Sequence, residues 1–162
     1  MGLQSAALQT ALTDKFPGAL DGHVTDMDVL DPTENETTSL LEVDDEFRVR
    51  LIWNLTGPGT TVAGGVWIVS LFSDDMDGLA TSTMTGLIAG PASIPIVPGL
   101  SPLNFQHTFR VVPPTPKVGL YKLTATINHS RNGNPNQLSE MFGYAEATPI
   151  DVRRIRVENP DN

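Results

Sequence analysis

From His23 onward the hydrophobic residues recur with a period of two, and this constrains the fold more than any other feature of the chain. Phe47, Val49, Leu51, Trp53 and Leu55 alternate with Arg48, Arg50, Ile52 and Asn54. Successive side chains of an extended segment point to opposite faces, so this stretch reads as a half-buried strand with its odd positions inward. A slip of one residue would bury two arginines. Val66 to Phe72 is apolar on both faces, as expected for a central strand covered on both sides. Phe105, His107, Phe109 and Val111 alternate with Gln106, Thr108 and Arg110, and Tyr121, Leu123, Ala125 and Ile127 alternate with Lys122, Thr124 and Thr126. Ile150 to Val157 closes the pattern. Val24–Leu30, Ser39–Val43, Leu79–Ile88 and Phe142–Ala147 are weaker candidates, for about seven to nine strands in all.

The segments between these runs carry turn chemistry: Asp31-Pro32, Gly57-Pro58-Gly59, Asp77-Gly78, Gly90-Pro91, Pro98-Gly99, Pro113-Pro114-Thr115-Pro116 and Asn132-Gly133-Asn134-Pro135. Short strands at such spacing, with no helical pattern between them, predict an antiparallel sandwich rather than a parallel sheet. Residues 91–102 hold four prolines. Proline cannot donate to a ladder, so this segment reads as an extended crossover or a blunted edge.

Gly119-Leu120-Tyr121-Lys122-Leu123-Thr124-Ala125 resembles the penultimate strand of immunoglobulin-like and fibronectin type III sandwiches. There a tyrosine stands two residues before an inward core position, which here is Leu123. The resemblance implies that Tyr121 fixes a corner, and that Leu51, Trp67 and Leu123 form the core-position, tryptophan, core-position triplet, with the two leucines in place of the family's cysteine pair. The expected fold is therefore all-β, an antiparallel immunoglobulin-like sandwich with a short N-terminal helix. Transthyretin-like and C2-like strand orders remain alternatives at this stage, because the sandwich region is longer than the family needs.

Before His23 the period changes. Leu3, Ala7, Leu8, Ala11 and Leu12 share one side of a 3.6-residue repeat that Pro17-Gly18 ends. The domain reading is an N-terminal helical arm over residues 1–22, a sandwich over 23–158 and a disordered tail over 159–162. The arm is expected to dock on the fold, on a partner, or on a second copy of the chain. No basic, apolar leader and no apolar run near 20 residues is visible, so a soluble, cytoplasmic protein is the expectation.

Charge bounds the partners. Ten Lys and Arg against nineteen Asp and Glu give a net charge of −9, which opposes nucleic acid and anionic membranes. The Arg153, Arg154 and Arg156 cluster alternates with Val152, Ile155 and Val157 and reads as the wet side of a strand. The chain has no cysteine, which removes disulfides, thiolate metal sites and a cysteine nucleophile.

Catalytic signatures are sparse. There is no G-x-S-x-G elbow, no S-x-x-K and no phosphate-cradling glycine loop. The histidines are His23, His107 and His129. His107 lies on inward parity between Phe105 and Phe109, and His129 reads as the start of a polar turn. The N-x-[ST] triplets at Asn35, Asn54 and Asn128 are expected to be fortuitous.

The acidic segment Ser73-Asp74-Asp75-Met76-Asp77-Gly78 is the best candidate for chemistry. Ser73, Asp75 and Asp77 place oxygen ligands at alternate positions before a glycine, as a calcium loop requires, with Asp44 and Asp45 or Asp26 and Asp28 as helpers. The EF-hand's final glutamate is replaced by Met84, so only a looser calcium site fits.

The expected function is a non-catalytic accessory module that recognises a protein partner or itself. It would do so through a sheet edge or through the loops Gly57–Gly64, Asp74–Gly78 and Ser130–Gln137. A carbohydrate-binding or calcium-dependent sandwich and a small hydrolase are the alternatives. The carbohydrate reading requires Trp or Tyr exposed on one face.

Overall fold

The computed structural model describes residues 20–30, 40–42, 46–76, 84–112, 119–131, 138–147 and 150–153. Within them run nine strands: β1 (Asp21–Leu30), β2 (Leu40–Glu42), β3 (Phe47–Thr56), β4 (Val66–Asp75), β5 (Gly86–Pro95), β6 (Leu103–Val111), β7 (Gly119–Ser130), β8 (Leu138–Glu146) and β9 (Ile150–Arg153). A 3₁₀ turn, Pro58–Val62, lies between β3 and β4. Residues 1–19 and 154–162, which include most of the expected arm and the whole tail, lie outside the described residues. Asp21 and Gly22, assigned to the arm from sequence, already belong to β1.

The strands form two sheets. One has the order β1-β3-β6, and the other β2-β9-β7-β4-β5 with β8 also on β7. Every pairing is antiparallel except the short parallel pair β2–β9. The chain crosses between sheets from β1 to β2, from β2 to β3, from β3 to β4, from β5 to β6 and from β6 to β7. Along one side of β7, β8 pairs with Thr124–Ser130 and β9 with Gly119–Tyr121. This is an immunoglobulin-like sandwich.

β3 shows why the sequence pattern works. Its five odd residues are buried and its five even ones are half-buried, because one face meets the opposite sheet while the other carries Arg48, Arg50 and Asn54 toward water. Inside, Trp53 stacks on Phe105 at 5.7 Å between ring centroids. Trp67 meets both edge-on from the other sheet, at 6.3 Å and 5.6 Å. Leu51, Trp67 and Leu123 are each 0% exposed, and Tyr121 is 1%. Fully burying one such side chain is worth about 1.5–3 kcal/mol.

Two segments differ from expectation. Of the strand expected over Leu79–Ile88, residues 79–83 lie outside the described residues; among the described ones β5 starts at Gly86 and runs on through Pro95. Pro91 and Pro95 fit inside β5 because it ends its sheet, so the missing N–H groups face no neighbour. β7 continues past Ile127 to Ser130. His129 therefore does not open a turn; it is a buried strand residue with its ring edge-on to Trp67 at 5.7 Å.

Candidate functional site

The loops expected to form one contact surface are divided between the two ends of the sandwich. The turn after β3 and the start of β4 lie beside the end of β7, since Val66 pairs with Ser130. Asp74 and Asp75 instead pair with Lys122 and Tyr121 near the beginning of β7, at the opposite end. Residues 132–137 and 77–83 lie outside the described residues.

The first end is built by two loops tied to each other. Gly57, in the left-handed region at φ 109°, delivers the chain into the 3₁₀ turn with Pro58 at its head. Thr60 is fully buried and donates through both its N–H and its hydroxyl to the Gly57 carbonyl, at 3.3 Å and 3.1 Å. The Thr60 carbonyl then accepts from the Gly99 N–H at 3.1 Å, which joins this turn to the loop between β5 and β6. The Ile96 N–H donates to the Gly65 carbonyl at 3.0 Å, and the Gly57 N–H to Ser101 Oγ at 3.0 Å.

His129 closes the bracing from β7. Its Nε2 lies 2.7 Å from the Gly64 carbonyl. A carbonyl only accepts, so Nε2 carries the hydrogen. A side chain on Gly65 would meet the Ser130 carbonyl at 2.5 Å and His129 Nε2 at 2.8 Å, so the close approach requires glycine.

Three large aliphatic side chains stand on this braced platform facing water: Val62 is 83% exposed, Val97 73% and Leu100 85%. Their neighbours Ala63 and Ile96 turn inward and are buried. Single exposed aliphatics are ordinary on any surface. Three on two loops joined by the Gly99–Thr60 hydrogen bond form a patch held ready for contact, at little ordering cost. No charged residue occurs in residues 57–65 or 96–101.

A second surface lies on the outer face of the larger sheet. Phe142 and Tyr144 of β8 are 48% and 56% exposed. They pair across the ladder with Asn128 and Thr126, and Ile68 and Ser70 of β4 stand in the next positions. Phe72 and Leu87, paired with each other, are exposed farther along the face. Lys122 bridges Glu146 at 2.9 Å at its border, and that carboxylate raises the lysine's pKa first through the hydrogen bond and then through its charge. The sequence did carry a signal for this surface. Among the described side chains of β8, Gly143 and Ala145 turn inward while the outward Phe142 and Tyr144 are aromatic, the reverse of the usual sizing.

The acidic segment is only partly a loop. Ser73 and Asp75 belong to β4, opposite Leu123 and Tyr121, and Asp77 lies outside the described residues. Ser73 is buried and its Oγ has no hydrogen-bond partner. It faces the interior rather than an ion in solvent, because it holds the same parity as Leu71. Asp26 and Asp28 are not neighbouring loop residues either. They lie on β1 in the other sheet, where Arg50 of β3 reaches Asp28 at 3.1 Å and Asp26 at 4.0 Å. Burial, followed by the hydrogen bond and charge of Asp28, pushes the Asp26 carboxyl above its ordinary pKa. Asp44 and Asp45 lie outside the described residues. Among the described residues no three His, Asp or Glu side chains converge on a point that would hold a metal ion.

Trp53 and Trp67, the residues a sugar platform would use first, are both wholly buried. His107 lies on β6 opposite Leu51, edge-on to Phe109 at 4.7 Å, and burial holds its pKa below the ordinary value. No helix among the described residues is long and apolar enough to cross a membrane.

No protein-family model and no curated protein matches the sequence. Among solved structures, a CARDB domain from Pyrococcus furiosus in complex with di-metal ions aligns with a TM-score of 0.46 at 14% identity, covering 79% of this chain and 88% of that one. A β-glucosidase from Listeria innocua in complex with glucose gives 0.43 at 7% identity, over 82% of this chain and 16% of its own. A Niemann-Pick type C2 protein from the Japanese carpenter ant gives 0.40 at 11% identity, over 80% and 91%. These are similarities of strand arrangement, and they assign no ligand and no activity.

Proposed function

We propose that this chain is a non-catalytic recognition module that binds a protein partner through the loop end of its sandwich. One observation carries the reading: Val62, Val97 and Leu100 are held out to solvent on loops whose backbones are fixed by hydrogen bonds to each other and to β7. Sheet-edge pairing is the weaker route. β5 carries Pro91 and Pro95, and β1 is interrupted by a bulge between Val24 and Asp26. The test is stoichiometric co-purification from the native cell, comparing the natural chain with Val62→Asp plus Leu100→Asp and with Asp74→Ala at the far end. The expected result is at least a tenfold loss for the loop pair and none for the control. Undiminished capture by the loop pair would overturn the reading.

A second reading rests on Phe142 and Tyr144. Aromatic rings beside Thr124, Thr126 and Asn128 offer a flat platform with hydroxyl and amide groups, which suits a carbohydrate chain. Glycan-array binding that is lost in Tyr144→Ser and retained in Leu100→Asp would favour it. An array without signal would leave the protein-binding reading alone.

A further inference from the structure

We infer that two copies of this chain join edge to edge through β6, antiparallel about a two-fold axis at His107, so that their three-stranded sheets become one continuous sheet. The contact lies away from the loop end and does not depend on the reading above.

β6 lacks the devices that keep a free strand from pairing. Among the described residues it pairs with β3 alone, so one side of its backbone carries unpaired N–H and C=O groups. Native edges are blunted by proline, bulges, short length or charge. β5 has Pro91 and Pro95, β1 has a bulge, β2 is three residues long, and β8 shifts register against β7 between Asn128 and Ser130. β6 runs nine residues, Leu103–Val111, in unbroken register with β3 and without proline. Its one charged residue, Arg110, is neutralised within its own sheet by both oxygens of Glu46, with Nη2 3.0 Å from Oε2.

The polarity of the strand selects a second copy as the occupant. Leu103-Asn104-Phe105-Gln106-His107-Thr108-Phe109-Arg110-Val111 alternates alike from either end. An antiparallel pairing centred on His107 sets Phe105 against Phe109 of the other copy, and Leu103 against its Val111, on the core side. On the wet side Gln106 meets Thr108 and Arg110 meets Asn104, so no like charges stand opposite each other. Burial lowers the His107 pKa, and the two rings therefore meet uncharged at pH 7. Just past the strand, Val112, 61% exposed, faces Pro102 of the other copy. This symmetric contact closes on itself, whereas β6 on β1 would be open-ended and would meet the bulge of β1.

Charge along the chain agrees. All nineteen acidic residues lie in 1–77 and 140–162, and residues 78–139 hold none. The acid-free stretch includes β6 and β5, the strand that borders it from the other sheet. In a chain of net charge −9, two copies repel each other least along this side.

The chain has no cysteine, so an introduced thiol can cross-link only to its counterpart. In the inferred pairing the two Cα atoms at position 107 lie about 4.5–5.5 Å apart, within the span of a disulfide. Those at position 104 lie about 20 Å apart. The experiment oxidises full-length His107→Cys and Asn104→Cys proteins with diamide and follows covalent dimer. Sedimentation of the natural chain is scanned between about 2 and 200 µM. A second pair of variants, Gln106→Lys plus Thr108→Lys and Gln106→Glu plus Thr108→Glu, changes only exposed positions and sets like charges opposite each other across the axis.

The natural chain should pass from monomer to dimer over that range, and position 107 should cross-link at least tenfold faster than position 104. Each charged pair should weaken the dimer at least tenfold with unchanged circular dichroism, and an equimolar mixture of the two should restore it. A natural chain that stays monomeric would overturn the inference; if the lysine pair then lowers partner capture, the edge serves a partner's strand instead. A dimer indifferent to the lysine pair would also overturn it, because the copies would meet elsewhere. Equal cross-linking at the two positions, or a mixture that stays monomeric, would overturn the antiparallel pairing at His107.

Discussion

β3 and β8 share a two-residue period but use it in opposite ways. β3 turns Phe47, Val49, Leu51, Trp53 and Leu55 inward and shows arginine and asparagine to water. β8 turns Gly143 and Ala145 inward and leaves Phe142 and Tyr144 exposed. The first assignment is what burial of apolar area demands. The second forgoes that gain at these two positions, where Gly143 lies beside the buried Ile127 of β7. In one strand the period encodes stability; in the other it places a surface.

The largest effect that would sharpen this contrast is in the shared core. Trp67→Ala should cost about 3–5 kcal/mol in urea unfolding, since it opens a cavity against Trp53, Phe105 and His129. A loss below about 1 kcal/mol would mean that the sheets are not packed through this residue. Next, Ala145→Leu should destabilise by about 1–3 kcal/mol through overpacking, because Ala145 is buried at 1% exposure. If the melt is unchanged, the inward side of β8 is less filled than its burial indicates.

Asp26→Asn tests the polar outer face of the smaller sheet. A carboxyl whose pKa is raised by folding binds more protons folded than unfolded, so its contribution to stability declines as pH rises above the unfolded value. The asparagine variant should therefore melt at least as high as the parent at pH 7, and its advantage should vanish as pH falls toward 3.8. A lower melting temperature at pH 7 would show that the attraction of Arg50 outweighs burial and Asp28. The smallest effect is expected for Tyr144→Ser, within about 0.5 kcal/mol by urea titration. A larger cost would break the comparison, because the aromatic face of β8 would then be structural.

The strands with large apolar residues on one side and charges on the other were legible from sequence, β3 and β7 above all. What stayed open or was misread shares one cause. The segment with Pro91 and Pro95 read as either a crossover or a blunted edge, and only the sheet decides for the edge. His129 looks like a turn residue until the Gly64 carbonyl and Trp67 are placed beside it. For the calcium loop Ser73, Asp75 and Asp77, whose last member lies outside the described residues, Asp26 and Asp28 were possible helpers on composition alone. The topology puts Ser73 and Asp75 on β4 and Asp26 and Asp28 on β1, in different sheets. Of the candidate surface, the loop Gly57–Gly64 was visible as turn chemistry, but its union with Val97 and Leu100 depends on hydrogen bonds between segments far apart in the chain.

The order of residues thus determined the all-β class, the inward parity of Leu51, Trp67 and Leu123, and the absence of thiol chemistry, because side-chain alternation and residue type are local properties. Which strands lie at edges, which loops share an end, and which aliphatic and aromatic groups remain in water were decided by the tertiary structure. These depend on pairings between distant segments, whose combined burial selects one arrangement from many that satisfy the same local pattern.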